Sequence, residues 1–206
     1  MARVSNVKLL SGHFPVTMET GAAMYILNSS MQAGCEAWRN KMSKGIVQVY
    51  YGTGKGKTSA AVGQCIRAAG QGLSVIIIQF LKGKEADEFN FLGKLEPEIK
   101  LFRFEKADRS YDLLLASQQK EEKQNILNGF NFAKKVIDTG ECDVLVLDEV
   151  LALPDLGIIT VDDIISLTSM REDYCRIVLT GRNLPRELLP YADVVSKIDL
   201  EKDNTI

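Results

Sequence analysis

Residues 52–59 form a glycine- and lysine-rich stretch whose residue types suit the binding of a phosphate chain. The stretch reads Gly-Thr-Gly-Lys-Gly-Lys-Thr-Ser and lies between an apolar segment and a helix-like segment. Glycines let the backbone turn tightly, so that successive N–H groups converge on phosphate oxygens. Lys57 can reach the terminal phosphates, while the Thr58 hydroxyl can ligate Mg²⁺ at the start of a helix. The stretch therefore predicts a nucleotide-binding loop.

This loop departs from the standard phosphate-loop pattern at two positions. Tyr51 stands where the pattern has its first glycine, six residues before Lys57, and Lys55 adds a second positive charge inside the loop. Two interpretations follow from these residues. The loop either hydrolyses a nucleotide despite the replaced glycine, or holds a triphosphate for a different reaction.

Two acids at the end of the apolar run "CDVLVL" supply the expected metal partner of the loop. Asp148 and Glu149 close a predicted buried strand, at the edge where parallel sheets gather their ligands. Either carboxylate can hold Mg²⁺ directly or through water. Because spacing does not decide between them, Thr58, Asp148 and Glu149 are all predicted metal-site residues.

Composition and charge narrow the function classes. The 206 residues, 46% hydrophobic and 25% charged, fit one globular domain. A net charge of −2 and the lack of long apolar runs predict neither a nucleic-acid partner nor a membrane partner. The only histidine, His13, precedes the patterned part of the chain, which leaves that part without a histidine base. The scattered cysteines Cys35, Cys65, Cys142 and Cys175 indicate reduced thiols in a cytoplasmic protein.

The segments around these residues alternate between strand and helix patterns. Strands are predicted at 45–51, 73–80, 99–104, 142–150, 176–181 and 193–198. Helices are predicted at 57–70, 84–96, 117–138 and, with Thr160 as its cap, 161–170. One face of the long helix should pack in the core through Ile126, Phe130, Ala133 and Ile137. The alternation predicts a three-layer α/β domain over residues 45–206, with a mostly parallel sheet and helices on both faces.

Residues 1–44 show no sustained period and are predicted to be an extension of this domain. Two interpretations stay open: a lid or oligomer arm, or an upstream stretch in a protein whose true start is Met42. The second is favoured because "MSKGIVQVYYG" runs straight into the first predicted strand.

Together these motifs resemble the phosphate-loop type of ATP:corrinoid adenosyltransferase. That family's loop reads Gly-Asn-Gly-Lys-Gly-Lys-Thr-Thr without the usual first glycine, and the present loop differs from it at Thr53 and Ser59. Four more segments match: "AAVGQCIRAAGQG", "IIQFLKG", "LVLDEVLALPDLGII" and "IVLTGRNLPRELLPYADVVSKI". The resemblance covers residues 45–200 of the chain.

The resemblance implies a RecA-like fold, a homodimer, Mg²⁺ as cofactor and a transferase reaction. A Co(I) corrinoid attacks the 5′ carbon of ATP and expels triphosphate, so no side-chain base is required. The corrinoid would be cobalamin, cobinamide or cobyrinic acid diamide, reduced by an electron donor such as a flavoprotein. The alternatives are a related phosphate-loop kinase or ATPase, and a non-catalytic paralogue that binds ATP or a corrinoid.

The resemblance also implies roles for individual residues. Lys55 and Lys57 would be catalytic, since they would stabilise charge on the leaving triphosphate. The expected ATP-binding residues are Gly52, Thr53, Gly54, Lys55, Gly56, Lys57, Thr58, Ser59, Arg67 and Arg182. The corrinoid side should lie between the third strand and the long helix, where the family's Gly-Phe-x-Trp element has no counterpart. The aromatic residues available there are Phe102, Phe104 and Tyr111.

Overall fold

Six apolar and β-branched runs form a parallel sheet in the computed structural model, which describes residues 45–81, 93–107, 111–171 and 175–202. The strands are β1 (Val47–Tyr51), β2 (Val75–Gln79), β3 (Ile99–Arg103), β4 (Val144–Asp148), β5 (Arg176–Gly181) and β6 (Val194–Lys197). Their order across the sheet is β3-β2-β4-β5-β1-β6, and every neighbouring pair is parallel. The predicted strands are confirmed, and the architecture agrees with a RecA-like α/β fold.

Helices α1 (Lys57–Ala69), α2 (Ala116–Asp138) and α3 (Val161–Ser169) follow the helix patterns of the sequence. Short 3₁₀ turns lie at Gly93–Leu95, Tyr111–Leu113, Val150–Ala152 and Arg186–Tyr191. The predicted helix at 84–96 falls largely outside the described residues, as do residues 1–44. Within the part of the chain that the structure describes, no helix is both long and apolar enough to cross a membrane.

The predicted cap of α3 is confirmed by a reciprocal pair of hydrogen bonds. The amide of Asp163 donates to the Thr160 hydroxyl at 3.1 Å, and the amide of Thr160 donates to the Asp163 carboxylate at 2.9 Å. The hydrogen bonds from the Thr160 amide and hydroxyl lower the pKa of Asp163. A capping box of this kind fixes where the helix begins.

Strand residues alternate between the two faces of the sheet, and the two faces carry different kinds of side chain. One face packs against α2 in the main hydrophobic core, which includes Val49, Ile78, Leu147, Leu179, Ile126, Phe130, Ala133 and Ile137. The predicted core face of α2 is thereby confirmed. The other face lies against α1, whose Gln64 and Thr58 donate hydrogen bonds to Tyr50 and Asp148. The hydrogen-bonded polar side chains therefore lie on the face of the sheet that packs against α1.

The three described cysteines, Cys65, Cys142 and Cys175, are free and buried. Burial raises the pKa of the Cys65 thiol to about 12. A hydrogen bond with Cys175, together with burial, raises the pKa of Cys142. These buried thiols act as small apolar side chains.

We expect these three thiols to react with a reagent such as DTNB only after the protein unfolds. At a pKa of about 12, only about one Cys65 thiol in ten thousand is ionised near pH 8, and the thiolate is the reacting species. Burial keeps all three thiols from the reagent. The measurement is a DTNB titration of a Cys35→Ser variant with and without guanidinium, so that only the buried thiols are counted. Prompt reaction of any thiol in the native variant would contradict the described burial.

Candidate functional site

The loop between β1 and α1 is anchored by backbone contacts with two neighbouring strand ends. The N–H of Gly52 donates to the carbonyl oxygen of Arg182 at 3.0 Å, just after β5. The N–H of Gly54 donates to the carbonyl oxygen of Ile198 at 2.9 Å, just after β6. Two of the loop amides that the sequence assigns to phosphate therefore hold the loop in place.

Glycine is required in this loop both for conformation and for close approach. Gly52 and Gly56 have positive φ angles of 123° and 108°, which side-chain-bearing residues rarely adopt. A Cβ at Gly54 would lie 2.8 Å from the carbonyl oxygen of Ile198, and one at Gly52 would collide with the same peptide group. By contrast, a Cβ at Gly56 would meet no atom within 4 Å.

Tyr51, in place of the usual first glycine, is the last residue of β1. It pairs in register with Gly181, and its carbonyl accepts the N–H of Ile198 at 2.7 Å. Its side chain is partly buried against the main core. Because this position is ordinary strand rather than part of the turn, it does not need glycine.

Lys57 begins α1 and is buried beside the loop that it follows. Its Nζ donates to the Gly54 carbonyl at 2.8 Å, and an ammonium carries three N–H donors, so further donors can face a phosphate. The N-cap of α1 is Gly56, without a side-chain cap, and its first turn contains no acidic residue. The positive end of the helix dipole is thus available to an anion. Lys55 and Thr53 are exposed in the loop, and Ser59 is exposed in the first turn of α1.

The carboxylate of Asp148 is the centre of a hydrogen-bond network on the α1 face. Its Oδ1 accepts hydrogen bonds from the Thr58 hydroxyl at 2.9 Å and from the Thr180 hydroxyl at 2.7 Å. Its Oδ2 accepts one from the Gln79 Nε2 at 3.2 Å. Asp148 is 1% exposed, so these donors take the place of water around a buried carboxylate.

Strand register brings this network together. Gln79 of β2 pairs with Asp148 of β4, and Thr180 follows the β5 residue that pairs with Leu147. Three polar side chains therefore lie side by side at the carboxyl edge of three adjacent strands. Sequence reasoning missed Gln79 and Thr180. The available signal was one polar residue near the end of each of three otherwise apolar runs.

Glu149 forms the tight turn that follows β4. It has a positive φ of 61°, a conformation that costs free energy in a residue other than glycine and is frequent at functional sites. Its amide donates to the Thr180 hydroxyl at 2.8 Å, so the turn is tied to the Asp148 network. Of the two predicted acids, Asp148 contacts Thr58 with both carboxylate oxygens, at 2.9 and 3.3 Å.

The chemistry of these groups fits a magnesium ion. Mg²⁺ prefers oxygen ligands, and the Thr58 hydroxyl and the Asp148 carboxylate lie together at the start of α1. A third oxygen, Oε1 of Gln79, is buried and has no hydrogen-bond partner among the described residues. The donor set therefore suits a hydrated divalent cation bound next to a phosphate chain.

The two predicted arginines lie at different distances from the loop. Arg182 follows β5 directly, and its carbonyl contacts the loop at Gly52. Arg67 lies in the last turn of α1, about 15 Å along the helix axis from Lys57 at 1.5 Å per residue. Arg182 is thus placed beside the loop, whereas Arg67 lies at the far end of the helix that the loop begins.

The aromatic residues of the expected corrinoid side pack against α2, on the face opposite to Asp148. The ring of Phe132 has its centroid 4.7 Å from that of Phe102 and 5.6 Å from that of Phe104. Tyr111 donates to the Gln119 carbonyl of α2 at 3.3 Å. All three predicted residues, Phe102, Phe104 and Tyr111, are partly buried against the main core.

Glu122, a third residue that sequence reasoning missed, anchors the segment after β3 to α2. Its buried carboxylate accepts the amides of Lys106 at 2.9 Å and Ala107 at 3.0 Å. Its other oxygen accepts the Asn125 side-chain amide at 2.9 Å. The segment that leaves β3 at the carboxyl edge is therefore fixed by one helix residue.

Comparison with known proteins identifies similar chains. The family model described as ATP:corrinoid adenosyltransferase BtuR/CobO/CobP matches residues 43–205. The corrinoid adenosyltransferase CobA of Salmonella typhimurium is 29% identical over 160 residues, which cover 75% of this chain and 76% of that protein. The uncharacterized protein all2391 of Nostoc is 31% identical over 173 residues, which cover 78% of this chain but 45% of that longer protein. A crystal structure of a DNA replication initiation factor aligns with a TM-score of 0.41 and 18% identity, over 90% of this chain and 48% of that chain.

We expect Gly52→Ala to destabilise the protein more than Gly56→Ala. Both positions have positive φ, so both variants suffer backbone strain. Only the methyl group added at Gly52 would collide with the Ile198 peptide. The additional loss in the free energy of unfolding should be about 1–3 kcal/mol, the usual cost of forcing atoms into filled space. Urea unfolding of the two variants measures this difference. Equal losses would show that docking against Ile198 does not hold the loop.

Proposed function

The chain belongs to the family of ATP:corrinoid adenosyltransferases and is an enzyme that transfers the adenosyl group of ATP to a corrinoid, and we propose that its β1–α1 loop and the Asp148 network hold ATP for this transfer. One observation carries the proposal. The Thr58 hydroxyl at the start of α1 contacts the buried Asp148 carboxylate at 2.9 Å, which joins the phosphate loop to an acidic cation ligand.

The loop serves in this proposal to stabilise the leaving triphosphate. A Co(I) corrinoid supplies an electron pair to the 5′ carbon, a Co–C bond forms, and the bond between that carbon and the triphosphate oxygen breaks. The electron pair of the broken bond remains on triphosphate, where negative charge increases. Lys57, Lys55 and the N-terminus of α1 would oppose that charge.

Thr58 and Asp148 would hold Mg²⁺ at the triphosphate, with Glu149 as a further candidate from the adjoining turn. The ion, when bound, would neutralise charge on the phosphate oxygens. The protein's own contribution is to keep both ligands fixed: Gln79 and Thr180 hold the Asp148 carboxylate in one orientation. A fixed ligand set orients the triphosphate, and hence the direction in which the 5′ carbon faces.

The absence of histidine from the sequence after His13 agrees with this chemistry. A cobalt nucleophile needs no proton removed, so the reaction does not require a base to activate it. A kinase or a hydrolase would need a group to orient or activate a hydroxyl or a water. The family assignment and this requirement favour transfer to cobalt over phosphoryl transfer.

For the corrinoid side, we propose that Phe104 and Tyr111 offer the contacts. Both belong to the region after β3 that Glu122 anchors, and both are only partly buried. Phe102 lies within β3, and its ring is nearer to Phe132 than that of Phe104, at 4.7 Å against 5.6 Å, which supports a role in packing. On the ATP side, Arg182 is the better placed arginine, because its backbone contacts the loop at Gly52.

The partners follow from the family. We propose a homodimer that receives its electron from a donor such as a flavoprotein and accepts cobalamin, cobinamide or cobyrinic acid diamide. Free, buried cysteines among the described residues fit the reducing cytoplasm.

The proposal predicts that the protein, given MgATP and chemically reduced cobalamin, forms a light-sensitive Co–C bond and releases intact triphosphate. Absorbance follows the corrinoid, and phosphorus NMR identifies the phosphate product. Because chemically reduced cobalamin needs no protein reductant, the assay isolates the transfer step. Release of ADP and phosphate without adenosylated corrinoid would contradict the proposal.

In the same assay, Lys57→Ala should lower kcat/KM for ATP by about 100- to 1000-fold, the usual effect of removing a group that stabilises developing negative charge. Lys120→Ala is the matched control, since Lys120 is an exposed lysine of α2. A comparable loss in both variants would mean that the Lys57 effect is not specific to the loop.

A further inference from the structure

Gln79 is a buried polar residue, and one of its two side-chain polar atoms has no hydrogen-bond partner among the described residues. It ends β2, has no exposed surface, and pairs in register with Asp148. Its Nε2 donates to the Asp148 Oδ2 at 3.2 Å, whereas its Oε1 is buried without a hydrogen-bond partner among the described residues. A buried acceptor of this kind costs free energy unless a donor reaches it.

The orientation of the Gln79 amide is fixed by its neighbour. If the amide were rotated by half a turn, its oxygen would face the Asp148 carboxylate, and two acceptors would repel each other. The nitrogen must therefore face Asp148, which leaves the oxygen directed elsewhere. The unsatisfied acceptor is a consequence of the network and does not arise from an arbitrary assignment of the two amide atoms.

The neighbouring hydroxyl groups cannot supply the missing donor. The proton of the Thr58 hydroxyl is used toward Asp148, and so is that of Thr180, whose oxygen also accepts the Glu149 amide. A hydroxyl has one proton to donate, so neither group has a second one for Gln79. No donor among the described residues reaches the Gln79 Oε1, so a donor bound at the site would satisfy it.

A water molecule on a divalent cation is such a donor. Mg²⁺ usually keeps several of its waters when it binds to a protein, and those waters donate hydrogen bonds strongly. We propose that Gln79 is a positioning residue whose Oε1 accepts a hydrogen bond from a water of the cation held by Thr58 and Asp148. This inference rests on the proposed metal site.

Gln79 thus acts on the cation in two ways. Its nitrogen keeps the Asp148 carboxylate in place, and its oxygen holds one of the cation's waters. The second contact fixes the orientation of the whole hydrated ion, and through it the triphosphate. A glutamine supplies both a donor and an acceptor at the end of one side chain, which neither a leucine nor a carboxylate can do at this position.

Two variants separate these roles. Gln79→Met keeps the length of the side chain and removes both hydrogen-bonding groups. Gln79→Glu keeps the oxygen that faces the cation's water and removes the N–H that faces Asp148. The readout is the dissociation constant of Mn²⁺, a spectroscopic substitute for Mg²⁺, from the protein–ATP complex, measured by electron paramagnetic resonance. The dissociation constant of ATP with EDTA present is measured in parallel, and circular dichroism verifies that each variant is folded.

Gln79→Met should weaken Mn²⁺ binding by about tenfold or more, the expected loss for one hydrogen bond to a polarised group, and leave metal-free ATP binding within about twofold of wild type. Gln79→Glu should retain wild-type or tighter Mn²⁺ binding, because its acceptor remains and its added charge attracts the cation by more than the lost N–H contact with Asp148 costs. The comparison of Gln79→Glu with wild type still tests the proposal if Gln79→Met does not fold.

Three results would overturn the inference. Mn²⁺ binding as weak in Gln79→Glu as in Gln79→Met would leave only the contact with Asp148 as the role of Gln79. Equal losses of Mn²⁺ and metal-free ATP binding would indicate a purely structural role, and unchanged Mn²⁺ binding in Gln79→Met would remove any role. If wild-type protein with ATP binds no Mn²⁺, the proposed metal site fails before the Gln79 inference is reached.

Discussion

The burial of one carboxylate, that of Asp148, is the constraint on which the nucleotide side of this sheet depends. Taking a charged group out of water costs several kcal/mol, and each hydrogen bond that a charged group receives returns about 1.5–3 kcal/mol. Asp148 therefore requires its donors, Thr58, Gln79 and Thr180. Because these come from α1, β2 and β5, satisfying one side chain fixes three other elements around β4. The same arrangement places the start of α1, and with it the phosphate loop, next to an acidic group.

The two faces of the sheet have different roles, because successive residues of each strand point to opposite faces. On one face, apolar residues pack against α2 and form the main core. On the other, the last polar residues of the strands face α1. The loop is attached at the carboxyl ends of the two strands that flank β1. The amides of Gly52 and Gly54 donate hydrogen bonds to the residues after β5 and β6. Tyr51 fits the same scheme as a strand residue that packs into the core, and its difference from the standard pattern leaves the turn intact.

Much of the fold could be predicted because its signals are local. Continuous apolar runs indicate strands covered on both faces, and the spacing of Ile126 and Phe130 indicates the buried face of α2. The association of the loop with Asp148 could be predicted as well, since parallel sheets gather ligands at one edge. Gln79 and Thr180 could not be assigned, because their proximity to Asp148 depends on strand order and register, which local patterns do not contain.

We propose that the Asp148 charge serves to bind a cation at the triphosphate rather than to stabilise the fold. The most direct test is to compare the thermal unfolding of wild type and Asp148→Asn, each without ligand, with ATP and EDTA, and with MgATP. Asparagine removes the charge and keeps one oxygen to accept from Thr58 and Thr180, while the Gln79 amide can turn its oxygen toward the asparagine N–H. We expect the unliganded variant to melt at or above the wild-type temperature, and to gain stability from ATP but no more when Mg²⁺ is added. A variant that melts well below wild type without ligand, yet gains as much as wild type from Mg²⁺, would contradict this account.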